Sequence, residues 1–166
     1  MSMKEHPFLA TTSFKHDKST ITYDITQPNR STAVGKVYRI NEDGVAELPP
    51  DGEAFDGVIT AVDDTQITGA YLFAGLRVPL ASNATVKRGD KLVAGLGQSS
   101  AKGYVKAASV ATALDAVEAA DIDTEAEKVV AHNAARTEIT NLIDAAKGKG
   151  SVLEFDTTHA LIAFPG

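Results

Sequence analysis

Four histidines, at positions 6, 16, 132 and 159, are the side chains of this chain best suited to acid–base or metal chemistry. Their spacing favours neither. No two stand at i, i+4, and neither an H-E-x-x-H nor an H-x-E pattern is present, so structural roles are expected for all four. The acidic stretch Asp121-Ile122-Asp123-Thr124-Glu125 has the opening rhythm of a calcium loop. It lacks the glycine at the sixth place and the bidentate glutamate at the twelfth, and it reads as an acidic turn. "GLGQSS" (95–100) has no third glycine and no following Lys-Ser/Thr, so it does not cradle phosphate. A G-x-S-x-G elbow is absent, and with no cysteine there are no thiolate ligands, thiol nucleophiles or disulfides. Lys91, beside the turn Gly89-Asp90, could be compared with the lysine of a lipoyl or biotinyl carrier. A carrier lysine must swing at a hairpin tip, whereas Leu92 and Val93 place Lys91 at the start of a strand. The expectation is a protein without catalytic residues, metal ligands or cofactor, and not an enzyme.

Length and charge narrow the partners. A chain of 166 residues fits one domain with a proper core. No apolar run reaches the roughly 18–20 residues of a membrane helix, and the first residues lack the pattern of a signal peptide. A net charge of -6 argues against nucleic acid, and the six Phe and four Tyr form no stacking platform beside bases. The charges come in runs. Glu42 to Asp64 holds eight acids and no Lys or Arg, and Asp115 to Glu127 holds six acids and no base. Between them, Arg77 to Lys106 holds six bases against the single acid Asp90. These runs are either solvated loop faces or edges that meet across subunits.

The elements that would carry such edges are mostly strands. Residues 1–33 are rich in Ser, Thr and Lys and read as an extended N-terminal arm. Within it "TITYDIT" (20–26) alternates as a half-buried strand, with Ile21, Tyr23 and Ile25 on one side. From Ala33 onward short Val/Ile/Tyr/Phe runs follow at turn-sized spacing, the signature of a small sandwich or barrel. These runs repeat. Gly35-Lys36-Val37-Tyr38, Gly44-Val45-Ala46, Val58–Asp63 and Tyr71-Leu72-Phe73 match Gly89-Asp90-Lys91-Leu92, Gly103-Tyr104-Val105, Ala113–Glu118 and Lys128-Val129-Val130. Val37 with Leu92, and Val58 with Ala113, are expected in equivalent places of the two halves, and the repeat sets strand against the helical propensity of 109–120. One helix is expected at about 134–147, capped by Asn133, with Ala135, Ile139, Leu142, Ile143 and Ala146 on its apolar face. The predicted fold is mainly β: a small β-barrel or sandwich built from a duplicated strand unit in one domain, 34–166, with one C-terminal helix and the arm 1–33.

The stretch "FDGVITAVDDTQITGAYLFAGLRVPLASNATVKRGDKLVAGLGQSSAKGYVKAAS" carries a resemblance. Its GV strand, acidic turn, G-x-x-x-V-P strand end and V-x-x-G-D-x-L-V pair resemble the β-tulip-like decoration (cement) proteins of tailed-bacteriophage heads. The likeness covers roughly residues 34–130. It implies a virion structural protein, made in the host cytoplasm and bound to the outer capsid surface. Its partners would be the major capsid protein and further copies of itself, as a homotrimer, with no nucleic acid and no membrane. The candidate interface is Phe8, Leu9, Phe14, Ile21, Tyr23 and Ile25 from the arm with Arg77, Arg88, Lys91, Asp63 and Asp64 from the charged runs. A head-fibre base or tail component, and a non-viral β-barrel binding or carrier module, are the alternatives.

Overall fold

The computed structural model describes residues 8–108 and 146–164, together with Val129, Asn133, Arg136, Thr137 and Ile139. Among the described residues nine strands run in chain order: β1 Phe8–Lys15, β2 Val37–Ile40, β3 Ala46–Glu47, β4 Gly57–Val62, β5 Gln66–Pro79, β6 Leu92–Gly95, β7 Tyr104–Ala107, β8 Ser151–Phe155 and β9 His159–Phe164. Seven of them form one sheet in the order β3-β2-β4-β5-β9-β8, with β1 also on β5, and β6-β7 form a separate hairpin. All strand pairs are antiparallel. The mainly-β expectation is met, but the sheets do not make a closed barrel.

Strand pairing recurs along the chain, in a register different from the one expected from the sequence. The β2–β3 pairs Arg39–Glu47 and Ile40–Ala46 recur as the β6–β7 pairs Val93–Lys106 and Ala94–Val105. Gly35 and Gly89 both take left-handed backbone, φ +84° and +89°, where glycine has no steric penalty. Each closes a turn, with Lys36 N–H donating to the Ala33 carbonyl and Asp90 N–H to the Lys87 carbonyl. Gly35 and Lys36 then exchange hydrogen bonds with Ile59 of β4. Gly89 and Asp90 exchange the same bonds with Val152 of β8. The counterpart of β4 is therefore β8, which overturns the match of Val58 with Ala113.

The rest of the second unit follows in register. The β4–β5 pairs Val58–Ala70, Ile59–Gly69, Ala61–Thr68 and Val62–Ile67 correspond one for one to Ser151–Ala163, Val152–Ile162, Glu154–Leu161 and Phe155–Ala160 of β8–β9. Even the bulges agree, at Thr60 and at Leu153. Residues between β7 and β8 interrupt the second unit where the first has only 48–56. Most of Ala113–Glu118 and Lys128–Val130 lies outside the described residues, but Val129 is helical and not part of a strand. Tyr38 matches Leu92, so Val37 matches Lys91 and not Leu92.

The arm belongs to this pattern. β1 pairs with β5 from Phe8–Ala74 to Lys15–Gln66. Its pairs Phe14–Ile67 and Lys15–Gln66 recur as Val78–Ala160 and Pro79–His159 between β5 and β9. Beyond them His16 makes a parallel bridge to Ala46, as Leu80 does to Val105. Asp17 N–H then donates to the Ala46 carbonyl at 3.1 Å and Ala81 N–H to the Val105 carbonyl at 2.8 Å. β1 is thus the first strand of the first unit. The 14-residue β5 is both the last strand of the first unit and the first strand of the second. It changes partner from β4 to β9 between Ala70 and Phe73, with bulges at Tyr71 and Gly75.

Residues 20–26 are not a strand. Asp17 accepts from Thr20 and Ile21 N–H, Asp24 accepts from Thr26 N–H, and these side-chain bonds turn the chain instead. Of the expected helix 134–147, the described residues Arg136, Thr137, Ile139, Ala146 and Lys147 are helical, and the others lie outside the described residues. No long helix is found among the described residues. Ile139, expected on the apolar face, is exposed.

Two core clusters form, where a single shared one was expected. Ile21, Ala33, Tyr38, Ala46, Ile59, Val62 and Ile67 of the first unit make one. The other joins Val78, Leu80, Val86, Leu92, Val105, Val152, Ala160 and Ile162 of the second unit to Val37, Phe55, Val58, Ala70 and Phe73 of the first. Phe164 closes the junction between them, stacked on Phe73 at 5.5 Å and beside Phe55 at 5.4 Å. The cores fill equivalent space differently. In the second unit Leu92 and Ile162 share it, and both are fully buried. In the first, the Tyr38 ring lies over Gly69, the counterpart of Ile162, where a Cβ would meet it at 2.5 Å. The exchange leaves the Tyr38 hydroxyl buried without a hydrogen-bond partner among the described residues. Burial accordingly raises its pKa.

Candidate functional site

The end of β5, the start of β7 and the β8–β9 turn enclose a cleft of about 440 Å3, lined in part by Pro79, Leu80, Asn83, Gln98, Tyr104 and His159. Tyr104 lies flat against Gly97 at its floor. The Lys36 ammonium stands 5.3 Å from the Tyr104 ring centroid, a cation–π distance. A second, shallower depression continues from Tyr104 and His159 to Lys36 and Arg77. The rim therefore carries Lys36, Arg77 and His159 around one aromatic face.

The turn that holds His159 is built by one carboxylate. Asp156 Oδ1 accepts from Thr158 N–H at 2.7 Å, Thr158 Oγ1 at 2.9 Å and His159 N–H at 2.7 Å, while Oδ2 pairs with Arg77 at 2.8 Å. Asp63 does the same in the first unit, accepting from Thr65 and Gln66 N–H at 2.8 and 2.7 Å. The backbone donors hold both carboxyls below the usual carboxylate range, with Arg77 adding to the effect on Asp156. His159 is shifted down as well, by burial first and by Arg77 second, against the opposing pull of Asp156. Burial lowers Lys36 in the same way.

These shifts act in one direction. A folded state that disfavours the imidazolium binds fewer protons than the unfolded chain, so stability falls as pH drops below about 6.5. The depressed carboxylates of Asp63 and Asp156, with Asp17 and Asp24, which are lowered as well, stabilise fully above about pH 4, and their contribution is lost as pH falls through their folded values. Melting temperature is therefore expected to fall in two stages on acidification. His159→Gln, which installs the residue of the matching turn position Gln66, should remove the first stage and leave the second. Calorimetric melts from pH 7 to 3 read both.

The structure scatters the other candidate residues. Ile21 is fully buried in the first core and is no interface residue. Tyr23 packs against that core, and Phe14 meets Tyr38 at 5.8 Å. Leu9 is 39% exposed on β1, beside Phe8, and Ile25 is 72% exposed. Arg88 Nε donates to the Leu153 carbonyl, and Lys91 Nζ to Ser151 Oγ at 3.1 Å, so both fasten β8. Lys91 is thereby tied to a strand and is not at the hairpin tip, which lies at Gln98–Ser100. Asp64 pairs loosely with Lys18 at 3.6 Å. The acidic run 42–64 is extensively paired within the chain: Glu47 with Arg39, Asp51 with Lys106, Glu53 with Lys147, and Asp56 with Lys149. Much of the charge that was to join neighbouring subunits is spent inside one.

Two of the histidines hydrogen-bond within the chain. Lys18 N–H donates to His16 Nδ1 at 3.3 Å, which leaves Nε2 to donate to the Asp63 carbonyl at 3.1 Å. His159 Nδ1 meets Thr158 Oγ1 at 2.9 Å. His6, His132 and Asp121–Glu125 lie outside the described residues. Nothing in the sequence alone singles out Leu153 and Phe155, exposed apolar residues of β8, or the cleft residues Lys36 and Tyr104. The recurrence of "DDTQ" (63–66) as "DTTH" (156–159) was the available signal for β8. No protein-family model, no curated protein and no solved structure matches this chain.

Proposed function

We propose that the protein is a non-enzymatic structural component of a tailed-phage virion. It decorates the outer surface of the head as a self-associating, trimeric cement and staples neighbouring capsomers. The observation that carries this reading is the pair of related β units locked together by the shared strand β5. A staple needs two attachment surfaces at a fixed separation, and one strand common to both units fixes that separation better than a linker would. Residues 34–130 add the resemblance to decoration proteins, and the well-paired surface suits a rigid block. Lys91, bound to Ser151, does not suit the carrier alternative.

The test is binding to purified expanded heads. Sedimentation should bring the protein down with the heads at a fixed stoichiometry, saturably, and raise the temperature at which they release DNA. Heads that leave it in the supernatant at micromolar concentration would dismiss this function.

A further inference from the structure

The two units differ in how they cover their equivalent β4 and β8 strands. In the first, the chain leaves His16 on a long excursion before the turn at Ala33, and Pro28–Arg30 of that excursion lies against β4. Ile21 and Tyr23 pack there, and Val62 is only 6% exposed. In the second unit the segment from Leu80 to the turn at Lys87 is much shorter. Phe155, the counterpart of Val62, is 47% exposed, and Leu153 beside it is 38% exposed. Phe155 forms one wall of a cleft of about 320 Å3 with Leu80, Ala84 and Val86, whose rim is completed by Thr85, Asp156 and Thr157. The second unit thus lacks a cover that the first supplies for itself.

The same excursion carries a knob of matching chemistry. Ile25 is, at 72%, the most exposed large apolar residue described. It sits at the tip of a tied turn. Gln27 N–H donates to the Asp24 carbonyl at 3.0 Å, Asp24 N–H to the Arg30 carbonyl at 2.8 Å, and Thr26 Oγ1 to Asp24 Oδ1 at 2.6 Å. Such a knob is held in place before it binds, so little ordering entropy opposes its insertion. An acid and a base accompany each of the two patches. Asp24 and Arg30 stand beside the knob, while Arg88 is fastened to β8 and Glu154 lies within it. None of these four has an ion pair among the described residues.

We propose that the Ile25 turn of one copy inserts into the Leu80–Val86–Phe155 cleft of a second copy, covering β8 as residues 17–31 cover β4 in cis. Knob and cleft are different patches of one chain, so the contact is heterologous and propagates around a ring or along a chain. This rests on the self-association in the functional reading and not on the capsid, so its test uses the protein alone.

The chain has no native cysteine, which makes crosslinking clean. Equimolar Ile25→Cys and Phe155→Cys proteins, mixed under mild oxidation, should give a mixed disulfide dimer at least tenfold above Ile25→Cys mixed with Lys102→Cys. Ile25→Asp should keep the parent circular dichroism and weaken self-association roughly tenfold or more by sedimentation equilibrium, as loss of a buried aliphatic contact does. A mixed dimer no more abundant than the control, or an Ile25→Asp protein that associates like wild type, overturns the contact. So does a parent protein that stays monomeric at high concentration. Head binding that survives those negative results would leave the decoration reading standing and remove only this interface.

Discussion

Deleting residues 1–19 is expected to abolish the cooperative unfolding transition. β1 pairs with β5 along eight residue pairs and is the first strand of the first unit. Its loss unpairs one side of β5, removes Phe14 from Tyr38, and frees Ala46 from the segment that follows β1. The deletion also takes His16, whose ring bonds the Asp63 carbonyl, and Asp17, which turns the chain into the buried Ile21. A domain of this size has a margin of about 5–15 kcal/mol, and removal of a strand with its core contacts exceeds it. Thermal melts followed by circular dichroism should lose their sigmoid. A sharp melt within a few degrees of the parent would mean that the segment is a dispensable arm after all.

The second large effect lies in the different filling of the two cores. Gly69→Ile puts a side chain where the Tyr38 ring already is, and overpacking of this kind should cost about 3 kcal/mol. Tyr38→Leu leaves a cavity over Gly69 and should cost about 2 kcal/mol, part of its loss being offset by removal of the unpartnered hydroxyl. The double variant imports the Leu92/Ile162 solution of the second unit. Its cost should be no more than about 2 kcal/mol, a coupling of about 3 kcal/mol between neighbours. Urea denaturation of the four proteins measures it. Simple additivity, near 5 kcal/mol for the double variant, would show that the two sites are not equivalent spaces.

How much of this was legible in the sequence depended on where the glycines and turns stood. The first half of each unit was readable because Gly35 and Gly89 open equivalent turns, and the hairpins behind them keep their pairing. The second half was not. The segment between β7 and β8 pushes the true counterpart of β4 far down the chain, and Ala113–Glu118 offers a similar apolar run much nearer. Only the short likeness of "DDTQ" to "DTTH" marks the right place, and its meaning appears once Asp63 and Asp156 are seen making the same hydrogen bonds. The first strand was hidden for a different reason. "FLATTSFK" is Ser/Thr-rich because its attachment to β5 is largely a backbone matter, with Phe14 its main packing residue. Alternation misled at "TITYDIT", where Asp17 and Asp24 capture backbone N–H groups and make turns. Charge runs are visible in any sequence, but partners such as Lys106–Asp51 and Lys149–Asp56 are tertiary. The exposed Phe155 was invisible for the same reason, since only comparison with the buried Val62 gives its exposure meaning.

The central claim is that two copies of one five-stranded unit share β5, with β8 and β9 completing the second. Its most direct test replaces residues 109–147 by a short linker of the length and composition of 48–56, the connection that joins the same two strands in the first unit. The tandem-unit account predicts a folded protein with a single sigmoidal melt, in which the amides of Val152, Ile162 and Leu92 keep the slow hydrogen exchange of the parent. Loss of the cooperative melt, or rapid exchange at Val152 and Ile162 while Ile59 stays protected, would contradict it.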